Sequence, residues 1–180
     1  MKSSLRSHAC ASISQSQDGL SVTLGGWVNA RRDHGGVIFV DLRDASGIMQ
    51  IVFDPNNADS FAVAESVRNE FVISVSGRVR LRPQGTENPS IPTGMVEVVA
   101  ASVEILNRAD NLPFQPDEGQ VNEGTRLKYR YLDLRSEKMQ HNLRLRHRLI
   151  QSIRQFLDEN SFTEIETPIL TRYEQPTLKN

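Results

Sequence analysis

Five strand-like runs separated by turn residues occupy the first part of this 180-residue chain. Within each run apolar and polar residues alternate, which is the period-two pattern of strands with one buried face. The runs cover residues 20–34, 36–44, 48–55, 71–82 and 95–106, and a helix-like stretch covers 60–70. This order, with the helix between the third and fourth strands, is that of an OB-fold, a five-stranded Greek-key barrel that often binds oligonucleotides. Other small barrels can share it, so the order alone does not decide the fold.

The chain divides into three regions by its residue pattern. Residues 1–107 hold the strand-like runs and are interpreted as the barrel domain. Residues 108–135 are polar and contain proline breaks, which suits a linker. From residue 136 the apolar spacing becomes helical, and 136–180 is interpreted as the start of a further domain. The predicted fold class is therefore mainly β: a five-stranded barrel with one helix, followed by a linker and a helix–strand unit.

Composition argues against several classes of protein. One cysteine, Cys10, cannot build a disulfide framework and suits a reducing compartment. The four histidines lack metal-ligand spacing, so no metal site is predicted. No apolar run is long enough to span a bilayer, and the serine-rich start lacks the apolar core of a secretion signal, so we expect a cytoplasmic protein without membrane contact. For that start, an irregular first strand is favoured over the alternative of an organelle-targeting segment. Because the net charge is −1, a nucleic-acid site must be a local patch.

A predicted hairpin around the turn at 44–47 places an aromatic ring on a largely polar face. Alternation puts Phe39 and Asp41 on the face opposite the apolar side chains of the second strand. With a two-residue turn, Asp41 lies opposite Gln50, and Phe39 lies opposite Val52. Phe39 has two interpretations: it covers a minor apolar cluster, or it stacks on a nucleobase, which contributes about 1–3 kcal/mol per base. Gln50 carries an amide that can read a base edge.

Arginines are placed to flank this face. Arg78, Arg80 and Arg82 recur at period two, so they project from one face of the fourth strand. Arg31 and Arg32 precede a glycine-rich turn and supply further cations. One interpretation is a solvated edge that blocks unwanted strand pairing. The other, which we favour, is a cationic groove for the backbone of single-stranded RNA.

Three long strings of the sequence closely resemble bacterial-type aspartyl-tRNA synthetase, a class II aminoacyl-tRNA synthetase. They are GWVNARRDHGGVIFVDLRDASGIMQIVFDP, RNEFVISVSGRVRLRP and RLKYRYLDLR. The resemblance runs from about residue 8 to Thr171 or Arg172. In that family the N-terminal OB-fold binds the tRNA anticodon loop, so the resemblance implies that residues 1–107 are the anticodon-binding domain.

The resemblance also implies individual contacts with RNA. Phe39 would stack on the middle anticodon base and Gln50 would read it, while Glu97 is associated with the first anticodon base. Three arginines would hold phosphates or base edges. The implied RNA-binding positions are Arg32, Phe39, Gln50, Arg80, Arg82, Asn88 and Glu97. Asn88 and Glu97 come from the resemblance alone.

His34 lies at a position that helps similar enzymes decide whether they accept tRNA-Asp alone or also tRNA-Asn. Histidine there is similar to the relaxed type, which accepts both. A solvated histidine in a loop flanked by glycines is an equally good interpretation of the same residue.

The region from residue 136 resembles motif 1 of class II synthetases, a long helix and a strand used in their homodimer interface. Ser136 is a good N-cap, and Asn160 suits the left-handed conformation that ends a helix. Ser161 departs from the glycine that similar sequences carry. EIETPIL, residues 164–170, is predicted to be a short strand, and its Pro168 is the residue implied in the dimer interface. An apolar helical stripe, which is typical of a helix that faces a core, comprises Met139, Leu143, Ile150, Ile153 and Leu157, with Leu149 and Phe156 beside it.

The full-length family uses ATP and Mg²⁺. Its motifs 2 and 3 bind ATP and aspartate, and these 180 residues contain no counterpart of either motif. We therefore expect no catalytic residue, ATP site or Mg²⁺ site in this chain, and binding of tRNA without catalysis. The leading interpretation is a truncated part of an aspartate–tRNA ligase. The alternatives are a stand-alone RNA-binding module and, less well supported, an interaction protein that uses its exposed helix.

Overall fold

The computed structural model describes residues 5–116, 119 and 121–169. The chain forms two compact units, Met1–Asn111 and Leu112–Asn180. The strands are β1 (Ser21–His34), β2 (Val37–Arg43), β3 (Ile48–Phe53), β4 (Val72–Leu81) and β5 (Val96–Asn107). The helices are α1 (Ala58–Ser66), α2 (Glu123–Lys128), α3 (Arg130–Asp133) and α4 (Glu137–Glu159).

The five strands close into a barrel in the order β1-β2-β3-β5-β4, with β4 pairing back onto β1. The predicted OB-fold order is confirmed, with α1 between β3 and β4. The inward side chains of each strand form one apolar core, for example Ile38, Val40 and Leu42 of β2. Gly77 on β4 permits the close approach of β5, since an added Cβ would lie 2.2 Å from the carbonyl oxygen of Val99. Closure of the barrel therefore sets the relative positions of the side chains that project outward from its strands.

Residues ahead of β1 are held by the turn between β2 and β3. They form short 3-10 turns at Cys10–Ser12 and Gln15–Gln17, so an irregular strand before Ser21 is wrong for the described residues from Leu5 onward. Asp44 is the anchor, because its carboxylate accepts hydrogen bonds from the backbone NH of Cys10 at 3.0 Å and from Arg6 at 3.1 Å. The Cys10 thiol is buried, and this burial raises its pKa to about 12, so it serves as a core side chain.

Helix α1 is shifted relative to the prediction. It covers Ala58–Ser66 and ends at Val67, whose backbone is extended. The prediction that residues 67–70 are helical is therefore wrong. Asn57 begins the helix, and its side chain accepts a hydrogen bond from the backbone NH of Ser60. The amide of Asn57 also donates to the carbonyl oxygen of Ala101 on β5 at 2.8 Å. One asparagine thus caps the helix and fixes it to the sheet.

The second unit contains the predicted long helix. Ser136 caps α4 as expected, because its hydroxyl accepts from the backbone NH of Met139. Two short helices, α2 and α3, lie within the region interpreted as a linker. The helix exit differs from the prediction: Asn160 has φ −96°, and the left-handed residue is Ser161, with φ 67°. A Cβ disfavours that backbone conformation, so glycine would suit this position better than serine.

No strand is present among residues 164–169, so the predicted EIETPIL strand is wrong for the part that the structure describes, and Leu170 lies outside it. A lone strand needs a partner for its backbone groups, and the described chain offers this segment none in a sheet. Most apolar side chains of α4 are exposed, with Ile153 at 52% and Phe156 at 64%, so this face of the helix is not packed into a core within the described residues. No helix among the described residues combines the length and apolar character that crossing a bilayer requires.

Candidate nucleic-acid interface

A chain of hydrogen bonds connects five side chains on the outward-facing side of the strands, of which Gln50 and Glu97 are buried. Arg32 Nη2 donates to Asp41 Oδ1 at 2.7 Å and to Gln50 Oε1 at 3.3 Å. Gln50 Nε2 donates to Glu97 Oε2 at 2.8 Å, and Arg80 Nε donates to Glu97 Oε1 at 2.7 Å. We call Arg32, Asp41, Gln50, Arg80 and Glu97 the polar network. Four of its members belong to the RNA-binding set predicted from the sequence.

Strand pairing explains why these side chains meet. Asp41 on β2 lies opposite Gln50 on β3, which confirms the predicted register. Arg80 on β4 lies opposite Glu97 on β5. Because β3 also pairs with β5 in parallel, the residues of the β2–β3 hairpin and those of the β4–β5 pair come together across the barrel surface. The RNA-binding residues predicted from the sequence do not include Asp41, although its predicted position opposite Gln50 could have identified it.

Phe39 lies at the side of the polar network. It is opposite Val52 on β3, as predicted, and opposite Arg32 on β1. Its ring is partly exposed, whereas Val52 is buried. A partly exposed aromatic ring beside a charged hydrogen-bonding network offers a stacking face together with donors and acceptors, which is the combination that an unpaired nucleobase requires.

Arg82 differs from the other two arginines of its row. Arg78 and Arg80 are exposed, but Arg82 is only 8% exposed, so the solvated-edge interpretation does not fit it. Its Nε donates to the carbonyl oxygen of Val96 at 3.1 Å. Its buried Nη2 has no hydrogen-bond partner within the described part of the chain. Burial lowers the pKa of Arg82, and the negative charges of Glu97 and Asp41 oppose that effect.

The network also contains an acid whose charge is disfavoured. Burial raises the pKa of Asp41 above its usual range, although the positive charges of Arg32 and Arg82 act in the opposite direction. Asp41 therefore lies between two guanidinium groups in a partly desolvated position. An arriving anionic or polar ligand would compete with Asp41 for Arg32, which is the more exposed of these two arginines.

The two remaining predicted positions lie outside the polar network. His34 is exposed at the end of β1, next to the turn Gly35-Gly36, whose φ values of 61° and 79° require glycine-like backbone freedom. Asn88 lies in the loop between β4 and β5, and its side-chain oxygen accepts a hydrogen bond from the backbone NH of Ser90 at 3.0 Å. In the described residues no hydrogen bond connects Asn88 to the polar network.

The described residues contain no group of three or more histidine, cysteine, aspartate or glutamate side chains arranged to hold a metal ion. The carboxylates of the polar network are instead paired with arginines. The chemistry available at this surface is therefore stacking, hydrogen bonding and cationic attraction, which are interactions that bind RNA.

Two family models match the chain in adjacent segments. Residues 22–106 match the model described as an OB-fold nucleic acid binding domain. Residues 122–178 match the model described as tRNA synthetases class II (D, K and N). The second match continues to residue 178, so the expectation that the resemblance ends at Thr171 or Arg172 is wrong.

Individual relatives agree with both matches. The aspartate–tRNA(Asp/Asn) ligase of Moorella thermoacetica is 55% identical over 168 residues, which is 93% of this chain and 28% of that protein. The structure of asparaginyl-tRNA synthetase from Pyrococcus horikoshii has a TM-score of 0.80 and 27% identity, and the match covers 91% of this chain and 38% of that one. Aspartyl-tRNA synthetase from Entamoeba histolytica has a TM-score of 0.78 at 21% identity, which supports the fold, with coverage of 91% and 39%. The chain thus spans little more than a quarter of the length of the curated relative.

Proposed function

Since the chain belongs to the class II aminoacyl-tRNA synthetases of the aspartyl type, and corresponds to their N-terminal part, we propose that its barrel binds the anticodon loop of tRNA-Asp. The observation that carries this proposal is the partly exposed ring of Phe39 beside the polar network. A ring that merely filled an apolar cluster would not need hydrogen-bonding groups prepared at its edge. A base that stacks on the ring does need them.

The proposed contacts follow from position and charge. Phe39 stacks on the middle anticodon base, and Gln50 contacts the edge of that base. Arg32, Arg80 and Arg82 attract the phosphates or base edges, while Glu97 and Asn88 contact neighbouring nucleotides. The net charge of the chain is −1, so this local cluster of arginines, rather than the whole protein, supplies the attraction.

Titration of a labelled tRNA-Asp anticodon stem-loop with the 180-residue chain and its Phe39→Ala variant tests the proposal. We expect saturable binding that Phe39→Ala weakens by about 1–3 kcal/mol, roughly 5- to 150-fold in Kd, because one stacking contact is lost. Phe162→Ala is the matched control, since Phe162 is an exposed phenylalanine outside the barrel. Circular dichroism checks that both variants are folded. Equal Kd values for the wild type and Phe39→Ala would contradict the proposed role of Phe39.

The name of the Moorella thermoacetica relative, an aspartate–tRNA(Asp/Asn) ligase, favours relaxed recognition of the anticodon, and His34 is exposed and so accessible to RNA. We expect stem-loops with GUC and GUU anticodons to bind this chain within about threefold of each other, a difference below 1 kcal/mol. Parallel titrations measure the ratio. A strong preference for GUC would show that this chain discriminates tRNA-Asp from tRNA-Asn.

We propose that the larger protein of this type is a cytoplasmic, homodimeric aspartate–tRNA ligase that uses ATP and Mg²⁺. The described residues do not offer a ligand set for Mg²⁺, and the chain covers 28% of the curated ligase. This chain by itself is therefore proposed to bind tRNA without catalysis. Aspartate-dependent exchange of pyrophosphate into ATP by the isolated chain would contradict that.

Sedimentation velocity would test whether the exposed stripe of α4, with Pro168 beyond it, pairs with a second copy of the chain.

A further inference from the structure

The loop between β4 and β5, residues 83–95, is exposed over most of its length but is attached to the barrel near its end. Thr93 is 2% exposed, and its hydroxyl donates to the carbonyl oxygen of Ile48 at 2.6 Å. Ile48 is the first residue of β3, so this hydrogen bond connects the loop to that strand. Gly94, the next residue of the loop, is also buried. We call Thr93 and Gly94 the loop anchor.

Gly94 connects the loop anchor to Asn88. The backbone NH of Asn88 donates to the carbonyl oxygen of Gly94 at 3.0 Å. The contact is so close that a Cβ on Gly94 would lie 1.7 Å from the carbonyl oxygen of Asn88, so any other residue would push the two segments apart. The backbone of Asn88 is therefore held to β3 in two steps, through Gly94 and then through the hydroxyl of the neighbouring Thr93.

The side chain of Asn88 has one orientation in this loop. Its Oδ1 accepts from both the backbone NH and the hydroxyl of Ser90. A backbone NH can only donate, so the amide of Asn88 cannot be reversed. Because Oδ1 already accepts two hydrogen bonds, the group that Asn88 can offer to a ligand is the donor Nδ2. Asn88 is partly exposed, so a ligand can reach this side chain.

We propose that Thr93 is a positioning residue, which holds Asn88 so that its Nδ2 donates to an acceptor atom of the bound RNA. This inference rests on the proposed function, in which Asn88 contacts the RNA. Thr93 is buried, so it acts through the loop and not by touching the RNA itself. At the other end of the loop, the backbone NH of Arg82 donates to the carbonyl oxygen of Met95 at 3.0 Å. Both ends of the loop are thus fixed before the RNA arrives, which reduces the entropy that is lost on binding.

The first test removes the hydroxyl of Thr93 and then restores it. We expect Thr93→Val to raise the Kd for the tRNA-Asp anticodon stem-loop by about two- to tenfold, because one hydrogen bond of the loop anchor is lost. Thr93→Ser keeps a hydroxyl and should recover most of the affinity. Equal Kd values for the wild type and Thr93→Val would overturn the inference. No saturable binding by the wild type would instead count against the proposed function itself.

Thr86 supplies a matched control in the same loop. It is exposed, and its hydroxyl donates to the carbonyl oxygen of Pro83 at 2.7 Å, so this hydrogen bond stays within the loop. We expect Thr86→Val to change Kd by less than about twofold. An equal loss from Thr86→Val and Thr93→Val would mean that the attachment to β3 has no special role in binding.

A double-mutant cycle separates positioning of Asn88 from a general effect on stability. In an Asn88→Ala background, Thr93→Val should have little further effect on Kd, because the donor that Thr93 positions is already absent. In a Phe39→Ala background the full effect should remain, because Phe39 belongs to β2 and not to the loop. The same effect of Thr93→Val in both backgrounds would overturn the inference.

Amide hydrogen exchange of the wild-type chain tests the loop anchor without any substitution. The NH of Asn88 is bonded to Gly94 in an otherwise exposed loop. We expect this NH to exchange at least about tenfold more slowly than in an unstructured chain, because the loop must open first. Exchange at the rate of an unstructured chain would show that the loop is not held, and would overturn the inference even where Thr93→Val does not fold.

Discussion

Asp44→Ala is expected to lower the free energy of unfolding of the barrel by about 2–4 kcal/mol. The carboxylate of Asp44 accepts from the backbone NH groups of Ser46 and Gly47, at 2.7 and 3.2 Å, and from that of Cys10, at 3.0 Å. Alanine would leave these donors without their acceptor in a site where the Asp44 side chain is 3% exposed. Chemical denaturation followed by tryptophan fluorescence would measure the loss.

Part of this stability depends on pH. Burial acts to raise the pKa of Asp44, but hydrogen bonds from Ser46, Cys10 and Gly47 outweigh it and hold the pKa below the usual value of 3.8. A depressed carboxyl pKa in the folded state means that the charged form stabilises the fold. The contribution is fully present above pH 3.8 and is lost as the pH falls through the lower folded-state pKa. Asp44→Ala should therefore lose its stability difference from the wild type in strong acid.

Asp54 supplies a matched control for Asp44. Its carboxylate also accepts from a backbone NH two residues ahead, that of Asn56, at 2.8 Å. Asp54 is more exposed, and its hydrogen bonds stay within its own turn. We expect Asp54→Ala to reduce the unfolding free energy by less than about 1 kcal/mol. An effect of Asp44→Ala as small as this would show that the N-terminal segment is not anchored through Asp44.

Local patterns were sufficient to predict the barrel. Period-two alternation located all five strands, and the short turn at 44–47 fixed the register of β2 against β3. The boundaries of α1 were less accurate, because residues 67–70 contain no glycine or proline that would mark the end of a helix, although the chain there turns back towards β4. Alternation reports which face is buried, but it does not report where a helix must stop for the next strand to join the sheet.

The second unit shows the opposite limit. The α4 helix was predicted because its cap and apolar spacing are local signals. The prediction of a strand at 164–169 was wrong because a strand depends on a neighbouring strand for its backbone hydrogen bonds. A local sequence pattern does not contain the information on whether such a neighbour is present. Asn160 was predicted as the left-handed residue from its own propensity, but the chain uses Ser161. One-residue differences at helix ends are set by how the following chain leaves the helix.

The candidate site was predictable only in part from the residues. Phe39 and Gln50 follow from strand alternation, and the hairpin puts Asp41 opposite Gln50. Glu97 could not be found in this way, because it reaches Gln50 through the pairing of β5 with both β3 and β4. That pairing joins residues 47 positions apart in the chain. Family resemblance supplied Glu97, and the structure adds the hydrogen bond that gives it a physical role.

Arg82→Met is expected to weaken binding of the anticodon stem-loop by about 10- to 150-fold. Hydrogen bonds to charged groups contribute about 1.5–3 kcal/mol, and Arg82 has one buried donor, Nη2, that is unsatisfied in the described residues. A buried donor without an acceptor is unfavourable in the free protein, so a ligand that supplies the acceptor recovers that free energy on binding. Titration of the same labelled stem-loop at fixed salt measures the change in Kd.

Arg78 distinguishes this specific role from a general effect of charge. It belongs to the same strand and has the same charge, but it is exposed, and its Nε donates to the carbonyl oxygen of Gly19 at 3.0 Å. We expect Arg78→Met to change Kd by less than about threefold, since an exposed charge contributes below about 1 kcal/mol. Similar losses of affinity from both substitutions would mean that Arg78 and Arg82 act only through their positive charge. In that case the loss would shrink in parallel for both variants as salt is raised. A loss confined to Arg82→Met, and retained at higher salt, would show that the buried donor meets an acceptor on the RNA.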